Sequence, residues 1–159
     1  MTLPMLVALD ALVWGAWSAI VGYGFHRLPA STFASDGAVT RLRAWERSGH
    51  VYERLGIRRW KDRLPEAGAW FRAGVSKRSI GGRTADDVER FAAETRRAEH
   101  VHWTIPVIAP LFVLWNPGPL FAAMVVYALV ANVPCVMVQR YNRARIERGR
   151  RRRRLASSS

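Results

Sequence analysis

What most constrains this chain is where its charges are placed along the sequence. Residues 1–26 hold no Lys or Arg and one acid, Asp10. Residues 27–100 hold 16 basic and 10 acidic side chains. Residues 101–138 hold none apart from the ionisable His102, and residues 139–159 hold nine Arg and one Glu. A soluble domain that is 50% hydrophobic with 25 Lys plus Arg would interleave the two kinds of residue. Apolar blocks bounded by basic ones instead predict membrane segments with basic flanks. The predicted fold is mostly α: an integral membrane protein with an N-terminal transmembrane helix, an amphipathic interfacial helical region and a C-terminal membrane hairpin. All 159 residues are taken as a single domain, with 3–25 transmembrane, 27–100 interfacial, 101–138 the hairpin and 139–159 a basic tail.

The first block, "LPMLVALDALVWGAWSAIVGYGF" (3–25), is long enough at about 1.5 Å per residue to cross about 30 Å of hydrocarbon. It reads as an anchor rather than a signal peptide, since it lacks a basic start and an A-x-A cleavage site. The later block splits into "HWTIPVIAPLFVLW" and "LFAAMVVYALVANVPCVMV" at the turn "NPGP", residues 116–119. The first half is short for a full span. A hairpin keeps both Arg-rich regions on one side, whereas a single span would separate them. The expected topology is N-terminus outside, loop and tail cytoplasmic, in a cell membrane.

The net charge of +13 would also suit nucleic acid. No nucleic-acid fold signature is present, however. The run "RYNRARIERGRRRRRL" directly follows an apolar span, where anionic phospholipid headgroups are the simpler partner. The closing "ASSS" is expected to be unstructured. Cys135 is the single cysteine and forms no internal disulfide. Between the first two blocks, Trp45, Trp60 and Trp70 lie among Arg and Lys, as befits a region on the membrane surface. "GVSKRSIGGRT" (74–84) reads as a loop. The helix after it has Thr84 as a cap, with Asp87 three residues on.

The stretch "ETRRAEHVHW" (94–103) carries the densest chemistry. On a helix over 86–103, Val88, Phe91, Ala92, Thr95, Ala98, Glu99, His102 and Trp103 fall within an arc of roughly 140°. Arg96, Arg97 and His100 fall outside it, and His100 reads as solvated surface. His102 shares the apolar stripe with Glu99, three residues earlier. Burying either group uncompensated is costly. The pair therefore reads either as a structural hydrogen bond or as a general base held in orientation by a carboxylate. Glu-x-x-His is also a metal-ligand spacing, but no second copy accompanies it, and no metal is expected. Asn132 and Gln139 are polar groups within or at the end of a span, which calls for partners. Arg140, Arg143 and Arg145 read as lipid-phosphate anchors or as a clamp on the phosphates of an acyl donor.

"RRWKDRLPE", "ETRRAEHVHW" and "YALVANVPCVMVQRYNRAR", in this order and spacing, resemble the glycosyl-4,4'-diaponeurosporenoate acyltransferase family. The resemblance implies transfer of a fatty acyl group onto a sugar hydroxyl of a glycosylated carotenoid. Its pattern falls on Trp60 and Lys61, on Glu94, Thr95, Arg97, Glu99, His102 and Trp103, and on Asn132, Pro134, Gln139, Arg140, Tyr141, Asn142 and Arg143. It selects His102 over His100, as the helix face does. Neither an H-x-x-x-x-D arrangement nor a G-x-S-x-G elbow is present, so direct transfer is expected. His102 would be the base and Glu99 its brace. Glu94, Arg97, Trp60, Lys61, Asn132, Gln139, Arg140, Asn142 and Arg143 would bind substrate or donor. The expected co-substrate is acyl-CoA or another acyl donor, with no cofactor. The competing readings are a lipid methyltransferase and a non-catalytic protein that binds anionic lipid.

Overall fold

The structure is a computed structural model and describes residues 1–64 and 84–158. Among the described residues every regular element is helical. The predicted 74–84 loop lies outside them, apart from Thr84.

Helix α1 (Leu3–Arg27) has a proline in its first turn and His26 and Arg27 in its last, where cations favour the negative end of the helix dipole. A loop with a short 3-10 turn at Ala30–Phe33 leads to α2 (His50–Arg54) and α3 (Ile57–Trp60). Gly49 caps α2 at φ +73°, and a Cβ there would stand 3.6 Å from the Ala144 and Tyr141 side chains. Glycine thus permits the left-handed turn, while the distance to the last helix is an ordinary contact that a methyl group would also make.

Helix α4 spans Ala85–Thr104. The predicted cap is present in full: Thr84 Oγ1 accepts from the Asp87 amide, and Asp87 Oδ2 accepts from the Thr84 amide, each at 3.2 Å. The apolar run that follows is a 3-10 segment, Ile105–Leu114. Pro106 and Pro110 supply no amide N–H, so a regular α ladder cannot continue, and the chain tightens. The turn at 115–117 then starts α5, Gly118–Ser157, which is 40 residues long and unbroken through Pro134. The helix continues through the Arg tail to Ser157, so the end of the chain is more ordered than expected. A run of Arg residues, good helix formers, extends a helix already nucleated by packing.

Helices α1 and α5 are both long and apolar enough to cross a membrane. The 3-10 segment folds back on α5 and packs against α1 in one apolar cluster of Trp14, Ala109, Phe112 and Ala128. Trp14 stacks on Phe112 at 4.9 Å and meets Tyr127 edge-on at 5.4 Å. Trp17 Nε1 donates to the Ile105 carbonyl at 3.1 Å. At the end where α1 begins, buried Asp10 Oδ1 accepts from Trp115 Nε1 at 2.8 Å and Asn116 Nδ2 at 2.9 Å. The start of α1 and the tip of the hairpin therefore lie at the same end. Towards the other end, Tyr52 and Ile57 pack on Val138 and Tyr141 of α5, and Phe91 and Ala92 of α4 pack on Ile146.

Candidate active site

Where α4 runs into its 3-10 continuation, it faces the middle of α5. The His102 Nδ1 atom lies 3.0 Å from Asn132 Oδ1. Asn132 is buried, and its Nδ2 donates to the Ala128 carbonyl at 2.9 Å, one turn back. That bond settles which end of the amide faces the histidine. Oδ1 can only accept, so neutral His102 carries its proton on Nδ1, and Nε2 holds the lone pair. A side chain set up in this way can take a proton from a hydroxyl.

The predicted partner of His102 has another occupation. Glu99 is fully buried, and its Oε1 accepts from Arg140 Nε at 2.7 Å and Trp103 Nε1 at 3.2 Å. Its Oε2 accepts from Arg143 Nη2, which also donates to the Thr40 carbonyl at 2.8 Å. Arg140 in turn reaches both oxygens of buried Glu46 through Nη1, each at 2.8 Å, and the Val39 carbonyl through Nη2 at 2.6 Å. Tyr52 Oη donates to Glu46 Oε1, and the Arg43 amide donates to Oε2 at 2.7 Å. Burial pushes the Glu46 carboxyl up, but the hydrogen bonds from Tyr52, Arg43 and Arg140 outweigh it and hold the group below its ordinary range. Burial and the facing Glu46 push the Tyr52 phenol above its ordinary value, so it remains a donor.

Two carboxylates and two guanidiniums thus form a buried ionic layer joining α4, α5 and the loop at 39–46. The contacts differ from the expected ones in one respect. Glu99 anchors arginines, and Asn132 holds the Nδ1 side of His102. Arg140 is bound to Glu46 and Glu99, and Arg143 reaches Glu99 through Nη2 while its Nε and Nη1 are buried without a hydrogen-bond partner. The physical reason is that a buried carboxylate needs compensating charge, and two guanidiniums supply it far better than an imidazole does.

The remaining predicted residues divide. Gln139 and Asn142 are buried on α5 beside the ionic layer, with Gln139 Oε1 unpartnered. Glu94 pairs with Arg97 at 2.7 Å, while Arg97 Nη2 donates to the Leu28 carbonyl at 3.2 Å and its guanidinium lies 5.1 Å over the Phe33 ring. That pair joins α4 to the end of α1. Trp60 donates to the Leu55 carbonyl at 3.1 Å and packs on the Tyr52–Tyr141 cluster, and Lys61 pairs with Asp62 at 2.5 Å. Their contacts place Trp60 and Lys61 away from His102. His100, expected in solvent, is half-buried and stacks on Phe25 at 6.0 Å, with Phe33 at 5.9 Å.

Sequence reasoning overlooked Glu46, which sits in a non-periodic loop where no spacing rule marks it. It also passed over the contacts of Asp10, although a lone acid within 25 apolar residues is itself a signal for a partner.

No solved structure matches the chain. A family model described as glycosyl-4,4'-diaponeurosporenoate acyltransferase matches residues 29–152. A protein of that name from Staphylococcus haemolyticus is 32% identical over 157 residues, covering 92% of this chain and 88% of the relative. One from Staphylococcus aureus is 30% identical over 125 residues, covering 76% of this chain and 73% of the relative. The match takes in α4, the hairpin, most of α5 and the loop bearing Glu46, and so the chain belongs to the glycosyl-4,4'-diaponeurosporenoate acyltransferase family.

Proposed function

We propose that this protein is a membrane-embedded O-acyltransferase that moves a fatty acyl group onto a sugar hydroxyl of a glycosylated carotenoid or a similar glycolipid. The names of its relatives support the reaction and the substrate class. The two long apolar helices support the membrane setting. The observation that carries the mechanism is the His102–Asn132 contact, with Asn132 locked by the Ala128 carbonyl.

In this reading the sugar hydroxyl gives its proton to His102 Nε2 as its oxygen attacks the acyl carbonyl. The tetrahedral intermediate then collapses, an ester forms, and the leaving group departs with the proton from the imidazolium. Asn132 accepts from Nδ1–H throughout and keeps Nε2 aimed at the hydroxyl. Glu99 and the two arginines fix α4 against α5 and act on the reaction through that placement.

The acceptor is delivered from the bilayer. Residues 3–25 and the hairpin 101–138 span it, with the N-terminus outside and the basic regions on the cytoplasmic side, beside anionic phospholipids. The 3-10 segment, at about 2.0 Å per residue, covers about 20 Å. It therefore needs about the last two turns of α4 to reach across about 30 Å, which puts His102 in the cytoplasmic half of the hydrocarbon.

The test is acyl transfer by purified protein in lipid nanodiscs. His102→Ala should lower turnover by about 10²- to 10⁴-fold, the usual contribution of a positioned base, with the unfolding midpoint unchanged. Asn132→Leu should lower turnover by a smaller factor. Near-normal turnover in His102→Ala would overturn the assignment.

A further inference from the structure

Beyond the ionic layer, the end of the loop at 39–49 and the C-terminal half of α5 enclose an open cleft of about 690 Å³. It is lined by Arg47, Arg148, Arg150, Arg151 and Arg154, with Glu147 the opposing carboxylate. Arg148 is held by Glu53 at 3.2 Å, and Arg150 is paired with Glu89. Among the described residues, no ion pair engages Arg47, Arg151 or Arg154, and all three are exposed. Guanidiniums lining one cleft repel one another unless an anion joins them, and phosphate oxygens fit their planar forks.

Position decides between a lipid headgroup and a soluble ligand. The apolar part of α5 ends at Val138. At about 1.5 Å per residue, Glu147 stands about 13 Å further along and Arg154 about 24 Å. The polar layer of a bilayer adds only about 5–8 Å on each side of its hydrocarbon. On a straight α5 crossing near the normal, the cleft lies beyond the lipid phosphates. Its volume falls within the range of small-molecule sites. Along α5, Asn132 is roughly 22 Å from Glu147. A ligand with phosphates in the cleft and a reactive carbonyl at His102 therefore needs a long flexible arm between the two.

We propose that this cleft binds the polyphosphate head of a soluble acyl thioester of the coenzyme A type, whose arm carries the acyl group to His102. This rests on the acyltransferase reading above and names its donor and the donor's subsite. Because Arg140 and Arg143 are held by Glu46 and Glu99, these outer arginines take the role the sequence pattern offered to the inner ones.

The test uses full-length protein in nanodiscs of zwitterionic lipid, titrated with unacylated coenzyme A. Saturable binding is expected. Arg151→Glu combined with Arg154→Glu should weaken it at least tenfold with an unchanged unfolding midpoint, because both side chains are exposed. Coenzyme A lacking its 3'-phosphate should bind several-fold more weakly, and His102→Ala should bind like the wild type. In turnover, the double charge reversal should raise KM for acyl-CoA much more than it lowers kcat.

Absence of coenzyme A binding overturns the proposal, as does binding unaffected by the charge reversals. So does an outcome in which the reversals weaken only the attachment to vesicles containing phosphatidylglycerol, or only the capture of an acyl carrier protein. Acyl transfer from a phospholipid without any thioester would sink the donor assignment and leave the acyltransferase reading standing. Coenzyme A binding in the cleft with no transfer to any glycolipid would do the reverse.

Discussion

Arg140 commits every arm of its guanidinium to acceptors within the protein: Glu99, Glu46 and the Val39 carbonyl. A charge held in this way welds elements together and is poorly placed to trade partners with a substrate. Removing one member leaves the others buried and uncompensated, which costs about 3–5 kcal/mol. Glu99→Gln should therefore lower the unfolding midpoint in detergent sharply, whereas His102→Ala should not. A Glu99→Gln protein that unfolds normally yet fails in turnover would return Glu99 to the chemistry. Glu46 makes the same layer sensitive to acid. Its carboxyl titrates below the ordinary 4.5 when folded. The stability it contributes is thus complete above about pH 4.5 and is lost as the pH falls through the lowered folded value. Melting measured against pH should fall more steeply below 4.5 in the wild type than in Glu46→Gln; parallel curves would argue against the ion pair.

At the level of elements, the sequence was most legible where local chemistry acts alone. The start of α4 followed from Thr84 and Asp87, and its buried face from the 3.6-residue period of Phe91, Ala92, Thr95 and Glu99. The same period put His100 in solvent, whereas both histidines are half-buried and His100 packs on Phe25 and Phe33. Less legible was the 3-10 form of Ile105–Leu114, which two prolines impose without breaking the apolar pattern that suggested a helix. The helical tail was hidden for another reason: like charges predict solvation, yet α5 carries its register outward from a packed core. Gly49 belongs to this scale as well. Its φ of +73° favours glycine, whereas a Cβ there would meet Ala144 and Tyr141 only in ordinary van der Waals contact at 3.6 Å. Gly49→Ala should cost about 1–2 kcal/mol from the left-handed conformation alone, read as a lower unfolding midpoint. A neutral substitution would mean that the turn at residue 49 does not hold the left-handed conformation.

For the whole molecule, the contact of Asp10 with Trp115 and Asn116 puts the beginning of α1 beside the hairpin tip, and the Arg97–Leu28 bond fixes the opposite ends together. Among the described residues, the Arg-rich regions thus gather at one end of the apolar bundle, an arrangement that suits the positive-inside rule. Labelling of intact cells should reflect this. In a Cys135→Ala background, Thr2→Cys should react with a membrane-impermeant maleimide, and Ser158→Cys should react only after permeabilisation. The opposite pattern would invert the proposed topology.

Charge placement and apolar period, read along the chain, were enough to establish a mostly helical protein with two helices able to cross a bilayer. These are properties of neighbours, and neighbours interact at fixed spacings. Which carboxylate meets which cation was decided only by tertiary packing. His102 lies 30 residues from Asn132, Glu99 lies 41 from Arg140, and Glu46 lies 94 from Arg140. No local rule ranks such pairs. They are chosen when helices close on one another and each buried charge takes the partner that best offsets its lost hydration.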